Sequence, residues 1–178
     1  EALGHNGITS NYRRDLLPYT WKTIQQFQGG TAVFTFPQTP IKCAGAPQKI
    51  MYLADDVFRR DPAVAERSTV IYATATPGIF AIPTFAEPLR QVVARRGIQT
   101  RYQHTLREVR ADAREAVFDV REGETQREEV IRFDMLHVTP PMAAPDVVAE
   151  SARGRSRPLR GKFRKAAKAV QLQRPSTS

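Results

Sequence analysis

The first hundred residues alternate between short apolar segments and amphipathic ones, and this order restricts the fold more than any other feature. Segments rich in β-branched and aromatic residues at 31–36, 68–74 and 98–102 predict strands. Between them, apolar residues recur at helical spacing in 48–60 and 84–96, which predicts two helices. A strand–helix–strand–helix–strand order is typical of a parallel sheet with right-handed crossovers. We therefore expect an α/β fold with a Rossmann-like parallel sheet.

Shorter segments flank this alternating part. Residues 105–110, 115–119 and 129–133 alternate polar and apolar side chains between turn signals, which predicts an antiparallel β-meander. An apolar segment at 135–139 predicts a final buried strand. Before the first strand, helical spacing of apolar side chains predicts a helix over 14–28.

Local residue types predict where several elements begin. Pro47 suits the first turn of the first crossover helix. Thr84, with Glu87 three residues later, fits a capping box at the start of the second crossover helix. Asp61-Pro62 predicts a turn.

Neither strand-to-helix turn carries the G-x-G-x-x-G pattern of a dinucleotide-binding loop. The first turn reads Cys-Ala-Gly-Ala-Pro at 43–47, and the second reads Thr-Pro-Gly-Ile-Phe at 76–80. A pyrophosphate needs close approach of the backbone at a glycine-rich turn. The domain is therefore predicted to have a dinucleotide-binding shape without holding NAD.

The net charge of +9 comes from the end of the chain. Residues 151–178 hold nine Lys and Arg and no acidic residue, whereas residues 1–150 are neutral. We expect a basic, disordered tail over 149–178, with weak, salt-sensitive attraction to anions and no specific nucleic-acid partner. No apolar run approaches the roughly 18 residues of a membrane-spanning helix. Three scattered histidines and a single cysteine share no metal-ligand spacing, so no metal site is predicted.

The single cysteine, Cys43, lies in the first strand-to-helix turn. It cannot form an internal disulfide, and a lone cysteine is often a small buried apolar residue. Its place just before a predicted helix favours the thiolate, and Lys42 and Lys49 would add to that effect. From the residues alone, a reactive and a structural cysteine both stay open.

Several motifs resemble one family in one order. Residues 33–53, VFTFPQTPIKCAGAPQKIMYL, resemble the active-cysteine segment of mitochondrial-type sulfide:quinone oxidoreductases. The other matching segments are Ser10-Asn11-Tyr12 with Trp21, LREVRADAREAVF at 106–118, Gly-Glu-Thr-Gln at 123–126 and MLHVTPPM at 135–142. The resemblance covers residues 1–148.

The resemblance implies the second dinucleotide-binding-like domain of an FAD/NAD(P)-binding fold, over 31–148, preceded by an inter-domain segment and helix over 1–30. It implies an enzyme with non-covalent FAD that oxidises hydrogen sulfide to a protein-bound persulfide and reduces ubiquinone. A small acceptor such as glutathione or sulfite would take the sulfur, at the matrix side of the mitochondrial inner membrane. Cys43 matches the motif's cysteine and would be the catalytic, flavin-facing partner of a redox pair.

The chain also departs from the family. The glycine-rich FAD fingerprint, a second redox cysteine and the membrane-docking segments are absent from this sequence. We therefore expect an incomplete domain that alone neither retains FAD nor reduces quinone, and no cofactor-binding residue is assigned. Thr139-Pro140-Pro141 would return the chain to the flavin domain, His137 is expected to be a core histidine, and Trp21 is expected to pack between domains.

Two other classes of function stay open. A type II NADH:quinone dehydrogenase-like flavoprotein shares the two-domain plan but needs a glycine-rich NAD loop in this domain. A non-enzymatic protein that binds nucleic acid or anionic membranes through its basic tail needs only the charge of residues 151–178.

Overall fold

Two sheets and four helices form three layers in the part of the chain that the structure, a computed structural model, describes. The described residues are 2–38, 41–143, 145 and 147. The strands are, in chain order, β1 (Ile8–Thr9), β2 (Gly30–Phe36), β3 (Ser68–Thr74), β4 (Gln99–Tyr102), β5 (His104–Arg110), β6 (Glu115–Glu122), β7 (Thr125–Arg132) and β8 (Met135–His137). The helices are α1 (Leu17–Gln25), α2 (Ala46–Phe58), α3 (Pro62–Glu66) and α4 (Pro83–Arg95), with a turn of 3-10 helix at Arg14–Leu16 before α1.

The larger sheet is parallel, with the strand order β1-β8-β2-β3-β4. Phe34 at its centre pairs with Tyr72 on one side and His137 on the other. The predicted alternation of strands and helices and the parallel sheet are confirmed. The two-residue strand β1 was not predicted, and it joins the sheet by pairing with β8.

The smaller sheet is the predicted antiparallel meander, with the order β5-β6-β7. β6 pairs with both neighbours over its length, and the pairing of β5 shifts between Leu106 and Glu108. Residues of β6 alternate in exposure only partly, because Ala116, Val117 and Phe118 are all buried. The meander therefore faces the parallel sheet with an apolar surface.

Each face of the parallel sheet has its own core. All four helices pack on one face, around Phe34, Met51 and Phe58. The meander covers the opposite face, where Phe118 packs with Ile71 and other apolar residues. Burying a side chain of this size stabilises the fold by about 1.5–3 kcal/mol, so the two cores fix the sheet between helices and meander.

One predicted helix start and one predicted turn are wrong, because a proline opens a helix at both places. The helix α4 begins at Pro83, and its N-cap, Ile82, makes no side-chain capping bond. Because proline is suited to the first turn, Thr84 falls inside the helix instead of capping it. Asp61-Pro62 opens the short helix α3 instead of a turn, and a carboxylate oxygen of Asp61 accepts a 2.9 Å hydrogen bond from the N–H of Ala63.

A buried carboxylate joins α2 to the end of α4. The Asp55 side chain accepts from Nε of Arg59 at 2.9 Å and from Nη1 of Arg96 at 2.6 Å. The Arg59 guanidinium also contacts the carbonyl oxygen of Arg96. Both cations satisfy Asp55 in a site where an unpaired charge would be costly, so α2 is held at its C-terminal end.

A glycine is required where β2 begins. Gly30 has φ of +99°, and a Cβ there would lie 2.0 Å from Oδ2 of Asp134. The same oxygen accepts a 2.8 Å hydrogen bond from the N–H of Thr31. The start of β2 is thus held against Asp134, the residue that precedes β8.

The predicted basic tail at 149–178 lies outside the described residues. The boundaries expected at residues 30 and 148 stay predictions. None of the helices among the described residues has the length and apolar character needed to cross a membrane.

Candidate active site at the carboxyl edge of the parallel sheet

The carboxyl ends of β1, β8 and β2 meet at one edge of the parallel sheet. Ser10 to Tyr12 follow β1, Val138 to Met142 follow β8, and residues 37–45 connect β2 to α2. In open α/β sheets, ligands bind outside this edge. We call the described residues of these three segments the carboxyl-edge site.

Cys43 lies in this site, between β2 and α2 as its sequence predicts. Its side chain is exposed. Its carbonyl oxygen accepts a 3.2 Å hydrogen bond from Ala46, the first residue of α2. The cysteine is therefore next to the amino end of a helix, whose free N–H groups favour nearby negative charge. Lys42 and Lys49 are both exposed to solvent. The redox role of Cys43 stays a prediction.

The cysteine loop is attached to the segment that follows β8. The N–H of Lys42 donates to Sδ of Met142 at 3.4 Å. Within the site, the Thr35 hydroxyl donates to the carbonyl oxygen of His137 at 3.3 Å and accepts from the N–H of Thr139 at 3.0 Å. The exits of β2 and β8 are therefore connected side by side.

His137 is buried, as expected for a core histidine. Its Nε2 accepts a 3.1 Å hydrogen bond from the N–H of Asn11, which places the proton of the neutral ring on Nδ1. Among the described residues Nδ1 has no partner. Burial lowers the pKa of His137 to about 4, so the ring is neutral at physiological pH. It holds the backbone beside Tyr12 and is not a general acid.

Tyr12 and Thr139 lie in two segments that the sequence analysis named, and both belong to the carboxyl-edge site. The Ser10 hydroxyl donates to the carbonyl oxygen of Val138 at 2.8 Å and accepts from the N–H of Tyr12 at 3.3 Å. Burial raises the pKa of Tyr12, the neighbouring Thr139 hydroxyl lowers it, and negative charge on Cys43 raises it. Tyr12 follows β1 and Thr139 follows β8, so both residues lie at this edge of the sheet. Each residue lies in a segment that resembles the family, but no local sequence pattern indicates that the two segments lie at one edge of the sheet.

The glycines of the two strand-to-helix turns face open space. A Cβ added at Gly45 or at Gly78 would meet no atom within 4 Å, and Gly45 has an ordinary φ of −85°. Neither glycine is needed for its backbone shape or for space within the protein. Open space beside a glycine also leaves room for a ligand, so the expectation that this domain does not hold NAD stays a prediction and depends on the missing glycine pattern.

A parallel sheet covered by helices on one face and a β-meander on the other defines a dinucleotide-binding-like domain of the FAD/NAD(P)-binding fold. Solved structures share it. The sulfide:quinone oxidoreductase of Aquifex aeolicus superposes with a TM-score of 0.66 at 14% identity, over 85% of this chain and 35% of that chain. A chain of the Tetrahymena thermophila mitochondrial ATP synthase superposes with a TM-score of 0.66 at 18% identity, over 85% of this chain and 38% of that chain. At these identities the likeness shows the fold.

Sequence relatives are more similar to this chain than these solved structures are. The mouse mitochondrial sulfide:quinone oxidoreductase is 45% identical over 153 residues, which cover 85% of this chain and 33% of the mouse protein. The Dictyostelium discoideum protein of the same name is 36% identical over 152 residues, covering 85% of this chain and 32% of its own length. No family model matches the chain. These relatives are mitochondrial sulfide:quinone oxidoreductases, and the chain, which is similar to them over 85% of its own residues, spans about one third of their length.

Proposed function

We propose that the chain is part of a flavin-dependent sulfide:quinone oxidoreductase of the mitochondrial inner membrane, facing the matrix, with Cys43 as a redox-active residue. The observation that carries the proposal is the exposed Cys43 at the carboxyl edge of the sheet, inside the motif that resembles the family's active-cysteine segment. The relatives' names, which include the word mitochondrial, support the reaction and the location.

In the proposed reaction, Cys43 is one half of a sulfur bridge whose other cysteine comes from the rest of the enzyme. Hydrosulfide attacks the other cysteine's sulfur, and the bridge breaks. A new sulfur–sulfur bond forms as a persulfide on that cysteine, and the electron pair of the broken bond leaves on Cys43 as a thiolate. The amino end of α2 would stabilise this thiolate, because the helix dipole places partial positive charge there.

Two electrons leave the site when the bridge forms again, after a small acceptor such as glutathione or sulfite has taken the persulfide sulfur. FAD would supply the path of these two electrons to ubiquinone in the whole enzyme. Since neither strand-to-helix turn carries the glycine-rich pattern, we expect other parts of the enzyme to hold the FAD.

The proposal can be tested in a chimera in which this chain's residues 1–148 replace the matching third of the mouse relative. Sulfide-dependent ubiquinone reduction is measured for the chimera, for its Cys43→Ser variant and for an Ala44→Ser control at the exposed neighbouring position. We expect Cys43→Ser to abolish the reaction while bound FAD is unchanged, because serine forms neither a sulfur bridge nor an anion at neutral pH.

The control should keep the activity of the unmodified chimera. Sulfide-dependent quinone reduction that survives in Cys43→Ser would remove the cysteine from the mechanism. A flavin-containing chimera that reduces quinone with NADH, and not with sulfide, would refute the proposed substrate.

A further inference from the structure

The two edges of the antiparallel meander differ in regularity. β5 forms one edge, and its pairing with β6 shifts between Leu106 and Glu108. Such irregularities are one means by which proteins keep the edge of a sheet from pairing with another chain. β7 forms the other edge, and its eight residues pair with β6 without a shift. In the part of the chain that the structure describes, no strand pairs with the outer side of β7, so a regular edge is open there.

The register of β7 shows which of its backbone groups point outward. Two residues, 123 and 124, connect β6 to β7, and the φ of +64° at Gly123 fits the first position of a two-residue hairpin turn. The residues that close such a turn exchange backbone hydrogen bonds, so residues 125, 127, 129 and 131 direct their backbone groups toward β6. A 2.9 Å hydrogen bond from the N–H of Phe133 to the carbonyl oxygen of Arg114 continues this alternation. The backbone groups that face outward are those of Gln126, Glu128, Val130 and Arg132, and we call them the β7 edge.

The side chains of the β7 edge place an apolar residue between two opposite charges. Val130 is 41% exposed, and Glu128 and Arg132 lie on the same face of the sheet, two residues to either side of it. The Arg132 side chain is 85% exposed, and its Nε lies 3.4 Å from a carboxylate oxygen of Glu115. Arg107 contacts one carboxylate oxygen of Glu128, and the second oxygen can accept another hydrogen bond. Both charged groups can therefore interact with a chain beside β7.

We propose that the β7 edge pairs with the β7 edge of a second copy of this chain, antiparallel and around a two-fold axis at Val130. The outward N–H and C=O groups of the two strands then bond to each other, and the two meanders form one continuous sheet. Because residues 128 and 132 are equally distant from Val130, Glu128 of each copy lies directly opposite the partner's Arg132. The two Val130 side chains lie side by side and lose their exposure to water.

The charges on β7 select this register. Charged residues on an edge strand discourage most pairings, so the possible two-fold centres have to be compared. Centres at residues 127, 128, 129 or 132 set a charged residue against its own copy, and a centre at 131 sets Glu128 against Asp134 of the other copy. Like charges directly opposite each other are destabilising. Of the centres from 127 to 132, Val130 alone sets opposite charges against each other without an opposed pair of like charges.

The test measures self-association of the whole chain by sedimentation equilibrium at physiological salt. The dimer dissociation constant is compared for the unmodified chain, Arg132→Glu, Glu128→Arg and the double variant that carries both changes. Arg60→Glu is the matched control, since Arg60 is also exposed but follows α2, on the face of the parallel sheet opposite the meander. Urea unfolding verifies that each variant is folded.

The unmodified chain should form a dimer, and each single charge reversal should raise its dissociation constant by about ten-fold or more, because two attractive pairs become two repulsive pairs. Arg132→Glu also lowers the net positive charge of the chain, which reduces general repulsion between copies, so weaker association in this variant reports on the local pair. The double variant exchanges the two charges and should return the dissociation constant to within about three-fold of the unmodified value. Arg60→Glu should not weaken the dimer.

A cross-linking experiment tests the position of the two-fold axis without altering the charges. Val130→Cys in a Cys43→Ser background has one thiol, which in the proposed dimer lies opposite the same thiol of the other copy. A short bismaleimide should join two copies through this residue, whereas Arg60→Cys in the same background should give no cross-linked dimer.

An unmodified chain that stays monomeric at every concentration would overturn the proposal. A dimer that is unaffected by Arg132→Glu, or that the double variant does not restore, would show that another surface holds the copies together. Equal cross-linking through residues 60 and 130 would refute the axis at Val130. None of these measurements depends on sulfide oxidation, so the proposed function and the proposed dimer can fail independently.

Discussion

Lowering the pH from 7.5 to 4.5 drives protonation of an imidazole that the fold keeps neutral. Nε2 of His137 accepts from the N–H of Asn11, so a proton added there would set two N–H groups against each other in a buried site. The pKa of His137 in the folded chain is about 4, below the ordinary value of 6.5. A lowered pKa means that His137 favours the folded state fully above pH 6.5, and that this contribution is lost as the pH falls toward 4.

The expected loss follows from the two pKa values. A shift from 6.5 to about 4 makes His137 destabilise the fold by about 2.5 kcal/mol at pH 4.5 relative to pH 7.5. Carboxylates also titrate in this interval, so the effect is isolated by comparison with His137→Gln. The glutamine amide oxygen reaches the position of Nε2 and accepts from Asn11 without titrating.

The assay is equilibrium unfolding in urea at both pH values for the unmodified chain and the variant. The free energy of unfolding should fall by about 2.5 kcal/mol more in the unmodified chain than in His137→Gln. The same loss of stability in both proteins would refute the argument, because it would show that His137 does not resist protonation in the folded state.

Two further changes should alter stability, each with a matched control and each measured by urea unfolding. Gly30→Ala should destabilise the fold by about 2 kcal/mol or more, because it adds a Cβ 2.0 Å from an Asp134 oxygen at a φ of +99°. Gly45→Ala, which meets nothing within 4 Å, should change stability by less than about 1 kcal/mol. Asp55→Asn should cost about 3 kcal/mol, because it removes a buried charge from two arginines, whereas the exposed Asp56→Asn should cost less than about 1 kcal/mol. Equal effects within either pair would contradict the stated reason.

Much of the fold could be predicted because short-range sequence patterns determine its strands and helices. The strand predicted at 68–74 has those bounds in the structure, and the helix predicted at 48–60 occupies 46–58. Periodicity identifies a buried face without knowledge of its partner. Helix starts were predicted less well, since the capping-box pattern of Thr84 and Glu87 placed the start of the second crossover helix at residue 84, whereas the helix begins at Pro83.

The sequence by itself determined the alternation of strands and helices, the absence of a glycine-rich phosphate turn and the place of Cys43 between a strand and a helix. Tertiary structure decided what lies around that cysteine. The strand β1 exists only because β8 provides its hydrogen-bonding partner, more than a hundred residues along the chain. That pairing brings the segments that hold Tyr12 and Thr139 to the edge at which β2 ends and the loop to Cys43 begins. Such contacts depend on closing long loops and on the register of parallel strands. Neither produces a periodic pattern in the sequence of the residues that come together.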